Sequence, residues 1–142
     1  MDLPIEFFSE DIEFTLQNQD QISEWIATIV EQHDHDLVNL TYIFCSDDYL
    51  HEINVEYLFH DTLTDIITFN NADEDGTVEG DIFISIDRVR DNSTSLGTNF
   101  EDELHRVIIH GVLHLLGFKD KTKEEETLMR KEEDSSLSLR KF

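Results

Sequence analysis

The stretch from Phe100 to Gly117, FEDELHRVIIHGVLHLLG, reads as a helix that is apolar almost all the way round, and it constrains the fold more than any other segment. Asn99 can cap its start and Gly117 can end it in a left-handed turn. At about 100° per residue, Leu104, Ile108, Ile109, Val112, Leu115 and Leu116 cover the broad side. Glu103, Arg106, His110 and His114 share one stripe about 80° wide. Between Val107 and Leu116 the only polar side chains are His110 and His114. Such a helix is stable only when other elements enclose it. Two imidazoles inside it then need polar partners.

Spacing supplies one. Residues i and i+4 lie one turn apart with Cβ atoms about 6 Å from each other, so two imidazole nitrogens can converge on a single ion. Gly117 lets the chain turn back, and Asp120, six residues after His114, can bring a carboxylate oxygen to the same point. Two His and one Asp with a fourth position open is the arrangement of a catalytic zinc site, whereas a structural site is closed by a fourth protein ligand. The alternative is a pair of core histidines hydrogen-bonded to backbone. Zinc peptidases of the H-E-x-x-H type carry a general-base Glu directly after the first His. Here that position is Gly111, which cannot take a proton.

The remaining chain provides what encloses the helix. Ile5 and Phe7, then Ile12, Phe14 and Leu16, alternate as extended segments. Ile22, Trp25, Ile26, Ile29 and Val30 mark an amphipathic helix, and Leu37 to Phe44 a strand. Ser46, followed by Asp47 and Asp48, starts a helix carrying Leu50, Ile53 and Tyr57. Ile66–Phe69 and Ile82–Ile86 read as two strands joined by the loop NNADEDGTVEG. Thr122 and Glu125 form a capping box for a last helix with Leu128 and Met129. Interleaved strands and helices predict a small α/β or α+β sandwich. The expected form is a single α+β domain over residues 1–142, a mixed four-stranded sheet packed with about five helices around a central metal-binding helix.

Charge is unevenly spread. Of the 33 acidic residues 22 lie in residues 1–87, which hold no Lys or Arg, while all 10 basic residues lie in 88–142 opposite 11 acids. The first part therefore carries −22 and the second −1, so a polyanion is repelled from one part and tolerated by the other. The lone Cys45 fits a reducing cytosol. The acidic N-terminus lacks a signal pattern, and no apolar run reaches the roughly 20 residues of a membrane span. A cytoplasmic protein without membrane contact is expected.

The segment HGVLHLLGFKDKT, His110 to Thr122, resembles the YbeY-type endoribonucleases, bacterial ribosomal-RNA maturation factors whose signature is H-G-x-L-H-L-x-G-Y-D-H. INVEYLFHDTLTDIITF, Ile53 to Phe69, is similar to the family's L-N-x-x-Y-R-x-K-D-x-P-T-D-V-L-S-F. EGDIFIS, Glu79 to Ser85, is similar to L-G-D-I-V-I-S, and Glu103-Leu104 matches an E-L pair. The resemblance spans about residues 50 to 133. It implies a zinc-dependent, single-strand-specific endoribonuclease acting in late ribosomal-RNA maturation at the 16S 3′ end and in ribosome assembly. Single-stranded RNA and the ribosomal subunit are the implied partners, DNA is not, and one zinc ion is the implied cofactor. A rival from another class is a non-catalytic, metal-stabilised RNA-binding assembly factor; a third is a peptidase.

Two departures stand out. Asp120 replaces the third His, which lowers the charge of the site by one unit and makes zinc-bound water less acidic. Leu58 replaces the family's Arg, and leucine cannot grip phosphate. Candidate replacement cations are Arg106, unless it pairs with Glu103, and Lys119 and Lys121 flanking Asp120, with Lys123 following; Arg88 and Arg90 form another cluster. His60 stands where the family has Lys. Thr64, Asp65 and Asp81 are expected to bond backbone near the site, with direct catalysis by Asp65 the sharper alternative. His33 and His35 read as a solvated loop. His105 lies about 140° around the helix from His110 and is not a ligand.

Overall fold

The computed structural model describes residues 3–59 and 63–142. Its elements are β1 (Ile5–Ser9), α1 (Gln19–Gln32), β2 (Asp36–Cys45), α2 (Asp47–Leu58), β3 (Ile66–Asn70), β4 (Thr77–Ser85), α3 (Ile86–Leu96), α4 (Phe100–Leu115) and α5 (Lys123–Leu137). The sheet runs β1-β2-β4-β3. The first two pairings are parallel and the β3–β4 hairpin is antiparallel. This is the expected α+β architecture, a mixed four-stranded sheet with five helices.

Alternation in β4 buries Val78, Gly80, Ile82 and Ile84, and β2 buries Leu40, Tyr42 and Phe44. Helix α4 lies on that face and is further enclosed by α1, α3 and α5. Leu104, Ile108, Ile109 and Val112 are fully buried, as their positions around the helix require, and so is Leu113 beside the polar stripe. Tyr42 ties sheet to helix through a buried hydroxyl that donates to the Ile108 carbonyl at 2.9 Å. Gly111 marks the close approach: an added Cβ would lie 2.9 Å from Ile82 Cδ1 and 3.1 Å from Ile66 Cδ1. Its lack of a side chain is thus also a packing requirement of the strands beneath it.

Helix ends follow their caps. Ser46 accepts from the Tyr49 N–H, and Asn99 Oδ1 from those of Glu101 and Asp102. Thr122 and Glu125 form the full capping box. Several segments differ from expectation. Residues 12–16 form no strand: Asp11 adopts a left-handed conformation (φ 60°) after β1, and Phe14 and Leu16 pack onto the core as irregular chain. Strand β4 begins at Thr77, pairing with β2 from Asp36, so the hairpin loop is shorter than its sequence suggests. Ile86 starts α3 instead of ending β4, because the Ser85 hydroxyl accepts from the Arg88 N–H. Among the described residues, no helix is long and apolar enough to cross a membrane.

Candidate metal centre

The end of α4 builds the site. Gly117 takes φ +106°, and the Gly117 and Phe118 N–H groups donate back to the carbonyls of His114 and Leu113 at 3.0 Å each. This is a Schellman turn, which only glycine enters without strain. It reverses the chain, so that Asp120 returns over the last helical turn. It also aims the Phe118 carbonyl at His114 Nδ1, 3.1 Å away.

His110 Nε2 and His114 Nε2 stand 3.0 Å apart, and Asp120 Oδ2 lies 3.3 Å from the first and 3.4 Å from the second. Among the described residues this is the one group of three or more such side chains able to share an ion. Tetrahedral zinc with bonds near 2.0–2.1 Å sets its donors about 3.3 Å apart, so the spacing fits. The tautomers fit as well. His110 Nδ1 donates to Glu133 Oε2 at 2.6 Å and His114 Nδ1 to the Phe118 carbonyl. With both Nδ1 atoms held by acceptors, the neutral imidazoles turn their Nε2 lone pairs toward the Asp120 carboxylate, a donor set that suits a cation.

Glu133 comes from α5. It is 5% exposed. Its other oxygen accepts from Arg106 at 2.8 Å, while Arg106 also reaches Asp134 at 2.6 Å. Burial works against the His110 imidazolium, but the Glu133 hydrogen bond and the charges of Glu133, Asp120 and Asp65 outweigh it and raise its pKa. Burial likewise opposes ionised Glu133, yet bonds from His110 and Arg106 win and lower its pKa. The Asp65 carboxyl, which lines the cavity with the donors, is raised by burial despite the nearby His110 charge.

Two cavities meet at the donors and share His110 and Asp120. One, of about 650 Å³, is walled by α2, β3 and the segment before β3, and includes Leu58, Asp65 and Lys121. The other, of about 470 Å³, lies along α5 and includes Arg130 and Glu133.

The structure sorts the other sequence candidates. Arg106 pairs with Glu133 and Asp134 of α5 and not with Glu103, and it lines neither cavity. Lys121 lines the larger cavity, whereas Lys119 and Lys123 are exposed and line neither. Arg88 is held by Asp47 and Asp91, and Arg90 stacks over Phe100 at 4.5 Å. Leu58 stands at the mouth, 40% exposed. Thr64 donates to the Ile66 carbonyl, and Asp81 accepts from Asn71. His33 and His35 bond backbone carbonyls at the end of α1. His105 is buried away from the donors, taking a bond from Arg140 at 2.7 Å. His60 lies outside the described residues.

Glu133 and Arg130 were not singled out from sequence. A signal existed for the first: Met129, Glu133 and Ser136 recur at i, i+4 and i+7 on the buried face of α5, where a carboxylate has no place without a partner.

A family model described as Endoribonuclease YbeY matches residues 5–140. The Endoribonuclease YbeY of Cytophaga hutchinsonii is 52% identical over 136 residues, covering 96% of this chain and 95% of its own. That of Amoebophilus asiaticus is 52% identical over 129 residues, covering 91% and 88%. The solution structure of TM1509 from Thermotoga maritima superposes with a TM-score of 0.64 at 30% identity, covering 94% of this chain and 89% of that one. With matches of this extent, the chain belongs to the YbeY endoribonuclease family.

Proposed function

We propose that the protein is a zinc-dependent endoribonuclease that cuts single-stranded RNA during late ribosomal-RNA maturation, at the 3′ end of 16S RNA, and acts on assembling ribosomal subunits in the cytoplasm. One observation carries the catalytic part of this reading: three metal donors converge, with no fourth among the described residues, beside a cavity large enough for a nucleotide-sized ligand. Family membership supplies the substrate class.

His110, His114 and Asp120 hold the ion, while Glu133 and the Phe118 carbonyl keep both imidazoles in the metal-binding tautomer. Bound zinc polarises a phosphoryl oxygen and acidifies water. Lys121 faces the cavity as a cation for phosphate, with Lys119 farther out on the same turn. Arg106 acts indirectly, by fixing Glu133. Among the described residues, Asp65 is the carboxylate lining the larger cavity that is left once Asp120 is a ligand, and it suits the role of accepting a proton from the attacking hydroxyl.

The test is cleavage of a single-stranded RNA and its duplex by purified, zinc-loaded protein. Single-strand cleavage abolished by chelator, and by His114→Ala in a folded protein, is expected. Folded, loaded protein that binds RNA without cutting it would support the assembly-factor reading. Mapping 16S 3′ ends in cells depleted of the protein tests the maturation role.

A further inference from the structure

A strand of RNA lying across the metal donors carries a phosphate for each nucleotide, and each needs a positive group within reach. Few described cations are available. Arg88, Arg106 and Arg140 are spent on Asp47 with Asp91, Glu133 with Asp134, and Asp102 with His105. Arg90 covers the Phe100 ring. Lys119, Lys123, Lys131 and Lys141 line neither cavity at the donors. Two cations remain at the site, one in each cavity: Lys121 on the β3 side and Arg130 on the α5 side.

Arg130 is well placed to act on a ligand. Its side chain is 61% exposed, and its ion pair with Glu133 Oε1 is long, 3.6 Å, to an oxygen already bonded to Arg106 at 2.8 Å. Most of its five N–H groups are thus free of close protein acceptors, in a planar fork that matches two phosphate oxygens. It sits mid-way along α5, on regular helix, so its Cα is fixed relative to the donors. The two cavities share His110 and Asp120 as wall residues, so a chain that occupies both passes next to the metal donors.

We propose that Arg130 grips an RNA phosphate on the α5 side of the metal centre while Lys121 holds one on the β3 side, so that the strand runs from one cavity to the other over His110 and Asp120. This inference rests on the RNA reading above. It shifts the main phosphate contact from α2, where Leu58 offers no charge, to α5.

The experiment is equilibrium binding of a fluorescent, cleavage-resistant single-stranded oligoribonucleotide (2′-O-methyl, phosphorothioate-linked, checked intact on a gel) to zinc-loaded wild type, Arg130→Gln, Arg130→Lys and Lys121→Gln, between about 50 and 200 mM salt. For Arg130→Gln we expect affinity to fall about five-fold at the lower salt, the upper end for an exposed ion pair. Loss of one phosphate contact should reduce the slope of log K against log salt by about 0.7. Lys121→Gln should do the same, Arg130→Lys should keep the slope, and zinc affinity should stay at the wild-type value in all of them. Arg130→Gln with an unchanged slope overturns the inference, whether or not zinc affinity moves; a change in zinc affinity alone would show that Arg130 merely supports Glu133. Wild type that fails to bind RNA overturns the RNA reading itself, which is a separate outcome.

Discussion

Replacing Glu133 with Gln keeps the volume of a buried side chain and removes only its charge and one of its two acceptor oxygens. In the native protein those oxygens serve different partners: Oε1 accepts from Arg106 at 2.8 Å and Oε2 from His110 Nδ1 at 2.6 Å. A glutamine can satisfy one. If its carbonyl stays on Arg106, its NH₂ faces His110, and the imidazole proton must move to Nε2, where it occupies the lone pair that the metal needs. If the amide turns over, NH₂ meets the Arg106 donor and leaves that N–H unpaired, at a cost of about 1–3 kcal/mol. Loss of a carboxylate behind a metal-binding His typically weakens metal binding about 10- to 100-fold. That corresponds to roughly 1.4–2.7 kcal/mol, in line with the cost of the unpaired donor. Competition against a zinc-binding chromophore at neutral pH, with circular dichroism to confirm folding, measures it. A folded Glu133→Gln protein with zinc affinity within about two-fold of wild type would refute the claim that Glu133 sets the His110 tautomer.

Two further outcomes concern stability. Gly111→Ala should lower the urea midpoint: the new Cβ falls 2.9 Å from Ile82 Cδ1, whose side chain is fully buried. Overpacking costs roughly 1–3 kcal/mol against about 1 kcal/mol gained in helix propensity, so a net loss of about 1 kcal/mol is expected, and a stabilised variant would contradict the close packing. The second outcome is acid sensitivity. Burial and then the Arg140 charge push the His105 pKa down from 6.5 to about 4, against a smaller opposing effect of Asp102. The unfolded chain thus takes up this proton first, so the contribution is complete above pH 6.5 and is lost as pH falls through about 4. The shift amounts to about 3 kcal/mol. Urea titrations at pH 7 and pH 4 should show a smaller acid loss in His105→Gln than in wild type; equal losses would assign the effect to other groups.

The metal donors were legible because they depend on local rules. The i, i+4 pair, the left-handed Gly117 and the caps at Ser46, Asn99 and Thr122 are each set within a few residues. Features that depend on docking were not legible. Arg106 has Glu103 one turn away, yet it chooses Glu133 and Asp134 on a helix that meets it only after folding. Helix α3, IDRVRDNSTSL, is amphipathic but carries few apolar residues, and it forms because Ile86 and Val89 are covered by the rest of the core. The alternation of Ile12, Phe14 and Leu16 satisfies the strand pattern, but the turn at Asp11 denies it a ladder. Arg130 was one exposed charge among several until the α5 cavity put it beside His110.

Helix α4 touches the sheet, α1, α3 and α5 alike. The imidazoles therefore ride on an element whose position records how the sheet's covered face, α1, α3 and α5 have settled. Metal affinity becomes a gauge of the main core: a substitution at Trp25 or Val89, away from the donors, should register there as readily as in a melting curve. Selection for tight metal binding would then reach deep into the core, far beyond the three donors.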